Sequence, residues 1–136
     1  MAQRGRKSAQ ELTKPPAVEV ISRPDAPYDL TDEQTEEWWA VVNRLPAEWF
    51  PRETHSLLAQ YCRHVVTARR IAQLIAKHEK NDDLDIQEYD RLLKMQEREG
   101  RALSSLATRM RITQQTTYDK SKKKGTQVKP PWVPQN

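Results

Sequence analysis

The fold is decided by two long helical stretches that are separated by a short polar turn. Residues 57–80 read LLAQYCRHVVTARRIAQLIAKHEK, and residues 85–110 read DIQEYDRLLKMQEREGRALSSLATRM. Both stretches repeat mostly apolar residues at alternating gaps of three and four, which is the heptad-like spacing of one helix face. The polar residues Asn81, Asp82 and Asp83 separate them. This pattern predicts two helices that form an antiparallel hairpin.

The spacing also predicts which residues face inward. On the second helix, expected over residues 52–80, the stripe is Leu58, Tyr61, Val65, Ala68, Ala72 and Ile75. Three further residues widen it, namely Leu57, Cys62 and Ile71. On the third helix, which is expected to restart at Asp85, the stripe is Ile86, Tyr89, Leu93, Gln96, Gly100, Leu103, Ala107 and Met110. Gly100 costs a helix about 1 kcal/mol relative to alanine, so we expect close packing there as compensation.

A short helix is predicted before the hairpin. Thr31-Asp32-Glu33-Gln34 matches a capping box, in which the threonine and glutamine side chains each bond the other's backbone amide. Pro46 ends this helix. We expect it to cover one side of the hairpin with its apolar residues, which are Trp38, Trp39, Val42 and Leu45.

The positive charge of the chain is concentrated at its two ends. The formal net charge is +4, of which residues 1–24 carry +3, residues 119–136 carry +4 and residues 25–118 carry −3. The expected organisation is an extended basic arm over residues 1–28, a helical core and oligomerisation domain over 29–113, and a basic, proline-rich tail over 114–136. Basic arms bind polyanions, because each cation on a phosphate releases a condensed counterion.

Composition excludes several classes of protein. Only 3 glycines and 7% aromatic residues argue against a β-sandwich, and no apolar run approaches the roughly 18 residues that cross a bilayer. The basic start has no apolar region after it, so we expect no secretory signal. The single cysteine, Cys62, suits a reducing cytoplasm and is expected to be a small core residue. His55, His64 and His78 lack metal-ligand spacing, and we expect no catalytic site, metal or cofactor.

Four features, in order along the chain, carry a resemblance to a known family. They are Arg4-Gly5-Arg6-Lys7 before a proline-containing arm, a tryptophan helix ending in Leu45-Pro46, the segment Leu57-Leu58-Ala59-Gln60-Tyr61-Cys62 on a long helix, and Leu103-Ser104-Ser105-Leu106-Ala107-Thr108-Arg109-Met110-Arg111-Ile112-Thr113. Over most of residues 30–113 plus the arm, the chain resembles the small subunit of tailed-bacteriophage DNA-packaging terminases. The chain departs from this family at Gln114, where a proline often follows the last threonine.

The resemblance implies a non-enzymatic protein that forms a ring in the host bacterial cytoplasm. Such a protein binds double-stranded viral DNA near the packaging start and delivers it to the large terminase subunit, which hydrolyses ATP and cuts DNA. An elongated three-helix unit also buries little core, which gives a separate reason to expect a homo-oligomer. Two alternatives stay open: a structural coiled-coil interaction protein without DNA binding, and a monomeric helix-turn-helix transcription regulator.

The candidate DNA-binding residues lie in the arms and on helix faces. Arg4-Gly5-Arg6 fits a minor-groove hook, because glycine lets the backbone lie deep in the groove; the alternative is phosphate contact without preference. On the second helix, Arg63, Arg70 and Lys77 recur every seven residues with no acid between Glu53 and Glu79. For that reason we favour Arg63 and Arg70 over Arg91, Lys94, Arg98 and Arg101 of the third helix. There, Lys94 and Arg101 follow acids by four residues, which is the spacing of ordinary exposed helix pairs. The remaining candidates are Lys7, Arg109, Arg111, Lys122, Lys123 and Lys124.

Residues 106–117 partly match a helix-turn-helix. Ala107 and Thr113 fit the pattern, but Arg111 stands where the turn usually has glycine. The next four residues, 114–117, are polar and of types that contact base edges. We favour the alternative that the third helix simply frays into the tail. In that tail, Trp132 and Val133 lie among three prolines and are expected to dock on a partner, the large terminase subunit.

Overall fold

The computed structural model describes residues 20–114, within which it contains three helices and no strand. Helix α1 spans Asp32–Arg44, α2 spans His55–Glu79 and α3 spans Ile86–Arg109. Two short 3-10 turns, Ala47–Trp49 and Arg52–Thr54, connect α1 to α2. Helix α2 packs along α3, and α1 packs on α2. The expected all-α architecture of a short helix on a long hairpin is therefore confirmed.

The helix starts are set by side chains that cap free backbone amides. Thr31 accepts a hydrogen bond from the Gln34 amide, and the Gln34 side chain accepts one from the Thr31 amide, which completes the predicted capping box. At α3, the Asp85 carboxylate accepts bonds from the amides of Gln87 and Glu88 at 3.0 and 3.4 Å. Pro46 follows the last residues of α1, as expected.

The larger hydrophobic core lies where α1 meets the hairpin, and we call this end of the bundle the base. Phe50, from the connection between α1 and α2, closes it, and Cys62 is buried inside it as predicted. The buried residues of the base core are Trp38, Val42, Phe50, Leu58, Ala59, Cys62, Leu106 and Met110. Because these residues come from every helix, the base is the part of the chain that fixes the three-helix arrangement.

A much smaller core lies further along the hairpin. Only Ile71, Ile75 and Leu92 are buried there, with Tyr89 packed against them. Beyond it, α2 turns into α3; we call residues 79–90, which include this turn, the tip. No residue of α1 belongs to this smaller core. This part of the hairpin, which we call the outer hairpin, is therefore held by α2 and α3 packing on each other.

The predicted inward stripe of α2 was wrong in part. Leu58 and Ile75 are buried as expected, but Ala72 is exposed, while Ala59 and Val66 are buried instead. The physical reason is that α2 contacts two different neighbours. Its buried residues therefore belong to two faces, one toward α1 and one toward α3, rather than to a single heptad stripe.

The predicted stripe of α3 was wrong for its first half. Ile86 and Leu93 are 74% and 39% exposed, Gln96 and Gly100 are exposed, and no atom lies within 4 Å of where a Cβ would stand on Gly100. The side that meets α2 instead carries Leu92 and Leu106, which are buried. Both faces repeat every seven residues, so the sequence alone could not distinguish Leu92 from Leu93.

Helix α3 does not fray at its end, which corrects the interpretation that we favoured. Arg111 has φ 56° and terminates the helix in the left-handed conformation. The Ile112 amide bonds the Ala107 carbonyl at 3.0 Å, and the Arg111 amide bonds the Thr108 carbonyl at 3.1 Å. These two bonds form a Schellman motif. Residue 114 is helical again, but residues 115–117 of the possible helix-turn-helix lie outside the described residues.

Candidate nucleic-acid interface

The N-terminal arm is attached to the base. The Trp38 indole N–H donates to the Pro24 carbonyl at 3.1 Å, and the Arg23 guanidinium donates to the Leu45 carbonyl at 3.2 Å. Ala26 and Leu30 pack against the base core. The arm predicted over residues 1–28 is thus held on the body from Arg23 onward, and it approaches the body beside the end of α1.

The C-terminal tail leaves the body at the same end. The Trp49 indole N–H donates to the Met110 carbonyl at 3.1 Å, and Ile112 packs against the base core. These contacts fix the end of α3 against the connection between α1 and α2. Both basic arms therefore join the folded body at the base, which single-sequence reasoning had not placed together.

Two of the predicted DNA-binding residues flank the point where the tail leaves. Arg109 and Arg111 are exposed, and among the described residues no carboxylate lies within 4 Å of either guanidinium. The left-handed turn at Arg111 places it just outside the last turn of α3. Their charges are thus available to a ligand beside the origin of the tail.

The structure pairs the favoured arginines of α2 with acids that the sequence argument did not consider. Arg63 contacts Asp29 at 2.5 Å, and Arg70 lies 3.7 Å from Glu33. The neighbouring Arg69 also pairs with an acid of α1, Glu37. The absence of acids within α2 was therefore a wrong reason to favour Arg63 and Arg70, because α1 and the segment before it supply them. All three pairs help to fix α1 on α2.

Lys77, the third residue of that series, lies close to an acidic region. Residues 79–90 carry six carboxylates and one lysine, a net charge of −5. Such a density of negative charge repels phosphate over about 8 Å at physiological ionic strength. The sequence shows Asp82, Asp83 and Asp85 as an acidic turn that lacks the calcium-loop pattern. Its repulsion of phosphate, which follows from six acids in twelve residues, was not part of the expectation for Lys77.

The basic residues of α3 mostly behave as predicted. Lys94 pairs with Asp90 at 2.5 Å, and Arg101 pairs with Glu97, each four residues along the helix. Arg91 and Arg98 are exposed without an ion pair to any described residue. The candidates in the arms lie outside the described residues; they are Arg4, Arg6, Lys7, Lys122, Lys123 and Lys124. The predicted docking residues, Trp132 and Val133, also lie outside them.

The three histidines connect structural elements rather than form a metal site. His55 Nε2 donates to the Phe50 carbonyl at 3.1 Å, His64 Nδ1 lies 2.6 Å from a Glu99 carboxylate oxygen, and His78 Nε2 donates to the Asp85 carbonyl at 3.0 Å. Within residues 20–114, no three histidine, cysteine or acidic side chains are grouped as a metal site requires.

Cys62 is not placed as a nucleophile. Burial, with a smaller effect from Glu37, raises the pKa of its thiol to about 12. The neutral thiol therefore predominates at physiological pH, and thiolates rather than thiols react. In the described part of the chain, no helix combines the length and apolar character that a membrane crossing requires.

Comparison with known proteins adds no relative: no family model, curated protein or solved structure matches this chain. The terminase resemblance thus depends on the motifs quoted above. The geometry of residues 20–114 contributes a helical body in which both terminal segments join at one end and the acidic tip lies at the other.

Proposed function

We propose that this chain is a DNA-packaging adaptor, the small subunit of a bacteriophage terminase, which binds the viral genome near the packaging site and recruits or regulates the large ATPase and nuclease subunit. The observation that carries the proposal is the charge polarity of the molecule. The two basic terminal segments join the body at the base, beside the exposed Arg109 and Arg111, whereas residues 79–90 carry −5. Duplex DNA contacts the base and arms, and the acidic tip points away from it.

Salt dependence of duplex binding tests the DNA-binding part of this proposal. For each phosphate contact that a protein makes, the logarithmic slope of affinity against salt steepens by about 0.9. Changing Lys122, Lys123 and Lys124 to glutamine should therefore reduce the magnitude of the slope by up to about 3. A second variant, with Arg4, Arg6 and Lys7 changed to glutamine, tests the other arm in the same way.

The matched control removes three charges near the tip, with Lys77, Lys80 and Arg91 changed to glutamine. Net charge falls equally in all three variants, but the control slope should stay at the wild-type value. Fluorescence anisotropy of a labelled duplex measures all four slopes. If the wild-type chain fails to bind duplex DNA at low salt, the proposed function is wrong.

Self-association into a ring is the second part of the proposal, and the exposed face of α3 supports it. Ile86, Leu93 and Gly100 recur every seven residues on that face, which we call the open seam, and two of them are exposed apolar side chains. A heptad-spaced apolar seam is the pattern by which helices of separate chains pack. We propose that the open seam contacts a second copy.

Two leucine-sized residues of nearly equal exposure provide a matched test of the seam. Leu93 is 39% exposed on the seam, whereas Met95 is 38% exposed on a different face of α3. Native mass spectrometry should show a closed assembly for the wild type and for Met95→Glu, and smaller species for Leu93→Glu. A wild-type monomer, or equal loss in both variants, would contradict the seam.

Two other functions each have one observation in their favour. The open seam alone also fits a structural coiled-coil interaction protein, which predicts the same oligomer but no DNA binding. The left-handed turn at Arg111, with helix resuming at Gln114, fits a helix-turn-helix regulator. That regulator would be a monomer that binds one short site and loses affinity when Gln115 or Thr117 is changed.

A further inference from the structure

A groove with a mixed polar and apolar lining lies between α2 and α3 next to the tip. Leu74 and Leu92 form its apolar walls, and Leu74 is 51% exposed. The groove encloses about 160 Å³, and its remaining lining residues are Lys77, His78, Asn81 and Glu88. Leu84, in the turn between the two helices, is also 41% exposed. The groove therefore combines leucine side chains with polar and charged ones, as the apolar core and polar rim of an interface do.

One wall of the groove is flat and rigidly held. The His78 ring stacks on the Tyr89 ring with an interplanar angle of 12° and a centroid distance of 6.1 Å. The His78 Nε2–H also bonds the Asp85 carbonyl, and the Tyr89 hydroxyl donates to Glu79 at 2.8 Å. A fixed aromatic wall beside leucine side chains suits an aromatic or proline-rich peptide.

Charge around the groove selects a basic occupant. Within the described residues, Asp82, Asp83 and Glu88 have no cationic side chain within 4 Å. The lining residue Lys77 offsets only part of the −5 carried by residues 79–90. A peptide that combines lysines with an aromatic residue therefore matches both the walls and the rim.

Residues 120–136 of this chain have that composition. They carry five lysines and no acid, and Trp132 and Val133 lie among three prolines. Because proline fixes φ, such a segment loses less conformational entropy when it docks in an extended form. We propose that this segment docks on the tip groove, with Trp132 between Leu74 and the His78 ring and the lysines beside Asp82, Asp83 and Glu88.

The chain is long enough for this contact. The tail leaves at the base, and α3, with 24 residues, returns about 36 Å to the tip at about 1.5 Å per residue. From residue 114 to Trp132 the chain has 18 residues, which reach about 60 Å when extended. The segment can thus reach the groove of its own chain or that of a neighbouring copy. In either case, DNA and the tip compete for the same lysines.

A labelled synthetic peptide of residues 120–136 tests the docking without DNA. The binding partner is the full-length chain with Lys122, Lys123 and Lys124 changed to glutamine, so that its own tail competes less. Anisotropy should show saturable binding that weakens at least tenfold when Leu74 is changed to asparagine. The matched control is Met95→Asn, at an exposed apolar residue of α3 outside the groove lining, which should bind as before.

Two peptide variants separate docking from plain charge attraction. Trp132→Ala should bind at least tenfold more weakly than the parent peptide, and so should a scrambled peptide of identical composition. Equal binding of the scrambled peptide, or no effect of Leu74→Asn, would overturn the proposal. These outcomes are independent of the proposed function, because neither DNA nor an assembled ring takes part in the measurement.

Carbodiimide cross-linking of the wild-type chain gives a second readout that needs no substitution. This reagent joins lysine amines to carboxylates that they contact directly. Mass mapping should place the cross-links of the tail lysines at Asp82, Asp83 or Glu88, either within one chain or between copies. Cross-links scattered over the acids of α1 as often as over the tip would contradict the docking.

Discussion

The base and the tip of this molecule are built from similar residues but differ in how much they bury and in the charge they display. Within the described residues, the base core contains eight buried residues, drawn from all three helices and from the connection between α1 and α2. The core near the tip contains three, from two helices. The base also holds Arg109, Arg111 and the points at which the two terminal segments join the body, while residues 79–90 carry −5. The comparison teaches that α1 divides the hairpin into a half with a large three-helix core and an outer half in which only α2 and α3 pack on each other.

The largest expected difference between the two ends is in thiol reactivity. Cys62 is buried in the base core, and its pKa is raised to about 12, so at pH 8 its thiolate fraction is about three orders of magnitude below that of a free thiol. We expect alkylation of native Cys62 to be slower by at least about this factor than in urea-unfolded protein. Rates measured by mass spectrometry check this.

A cysteine introduced near the tip provides the comparison. Leu92→Cys, in a Cys62→Ala background, should react faster than native Cys62, because the outer hairpin opens locally at lower free energy. Equal rates at the two positions would show that the ends are equally stable.

The next largest expected difference between the two ends is in the free energy of unfolding that is lost when one leucine of each core is changed to alanine. Leu58→Ala should lower the free energy of unfolding by about 4 kcal/mol, because Leu58 is fully buried in the base core and a cavity remains. Leu92→Ala should cost only about 2 kcal/mol, because the smaller core has less packing to lose. Urea denaturation measures both values, and a larger loss for Leu92→Ala would reverse the comparison.

Gly100 tests whether the open seam is free in the single chain. Because a Cβ there meets no atom within 4 Å, Gly100→Ala should raise the free energy of unfolding by about 1 kcal/mol, the difference in helix propensity. The measurement is urea denaturation at a concentration where native mass spectrometry shows monomer. A destabilised variant would indicate that the seam at Gly100 packs against another part of the same chain.

The smallest expected change in the free energy of unfolding is that of a substitution at Arg111. Its φ of 56° strains a side chain with a Cβ, whereas glycine adopts this conformation freely. Arg111→Gly should raise the free energy of unfolding by about 0.5–1 kcal/mol, since part of the gain is offset by the more flexible unfolded chain. If thermal unfolding shows a clear loss of stability, the Arg111 side chain has a contact that outweighs its strain.

Local sequence signals predicted the ends of the helices well. The capping box at Thr31, the cap at Asp85 and the stop at Pro46 involve residues within four positions of one another, so no tertiary contact is needed to deduce them. The helical hairpin also followed from apolar spacing and a polar turn. These features are local, and local physical rules decide them.

Features that depend on which helix faces which could not be predicted in this way. Leu92 and Leu93 are both suited to the interior, and only the position of α2 selects Leu92. Likewise, the acids that pair with Arg63 and Arg70 come from residues 34 and 37 positions away along the chain. Both terminal segments are attached to the base by tryptophan hydrogen bonds, from Trp38 to the Pro24 carbonyl and from Trp49 to the Met110 carbonyl. No sequence pattern predicts either bond.

The central claim is that duplex DNA binds the base and not the tip, and one pair of variants tests it directly. Arg109→Gln with Arg111→Gln removes two charges at the base, and Lys77→Gln with Lys80→Gln removes two near the tip, so the net charge of both variants is equal. Anisotropy over a salt series should show that the base variant loses about 2 from the magnitude of the logarithmic slope, while the tip variant keeps the wild-type slope. An equal or larger loss in the tip variant would contradict the account.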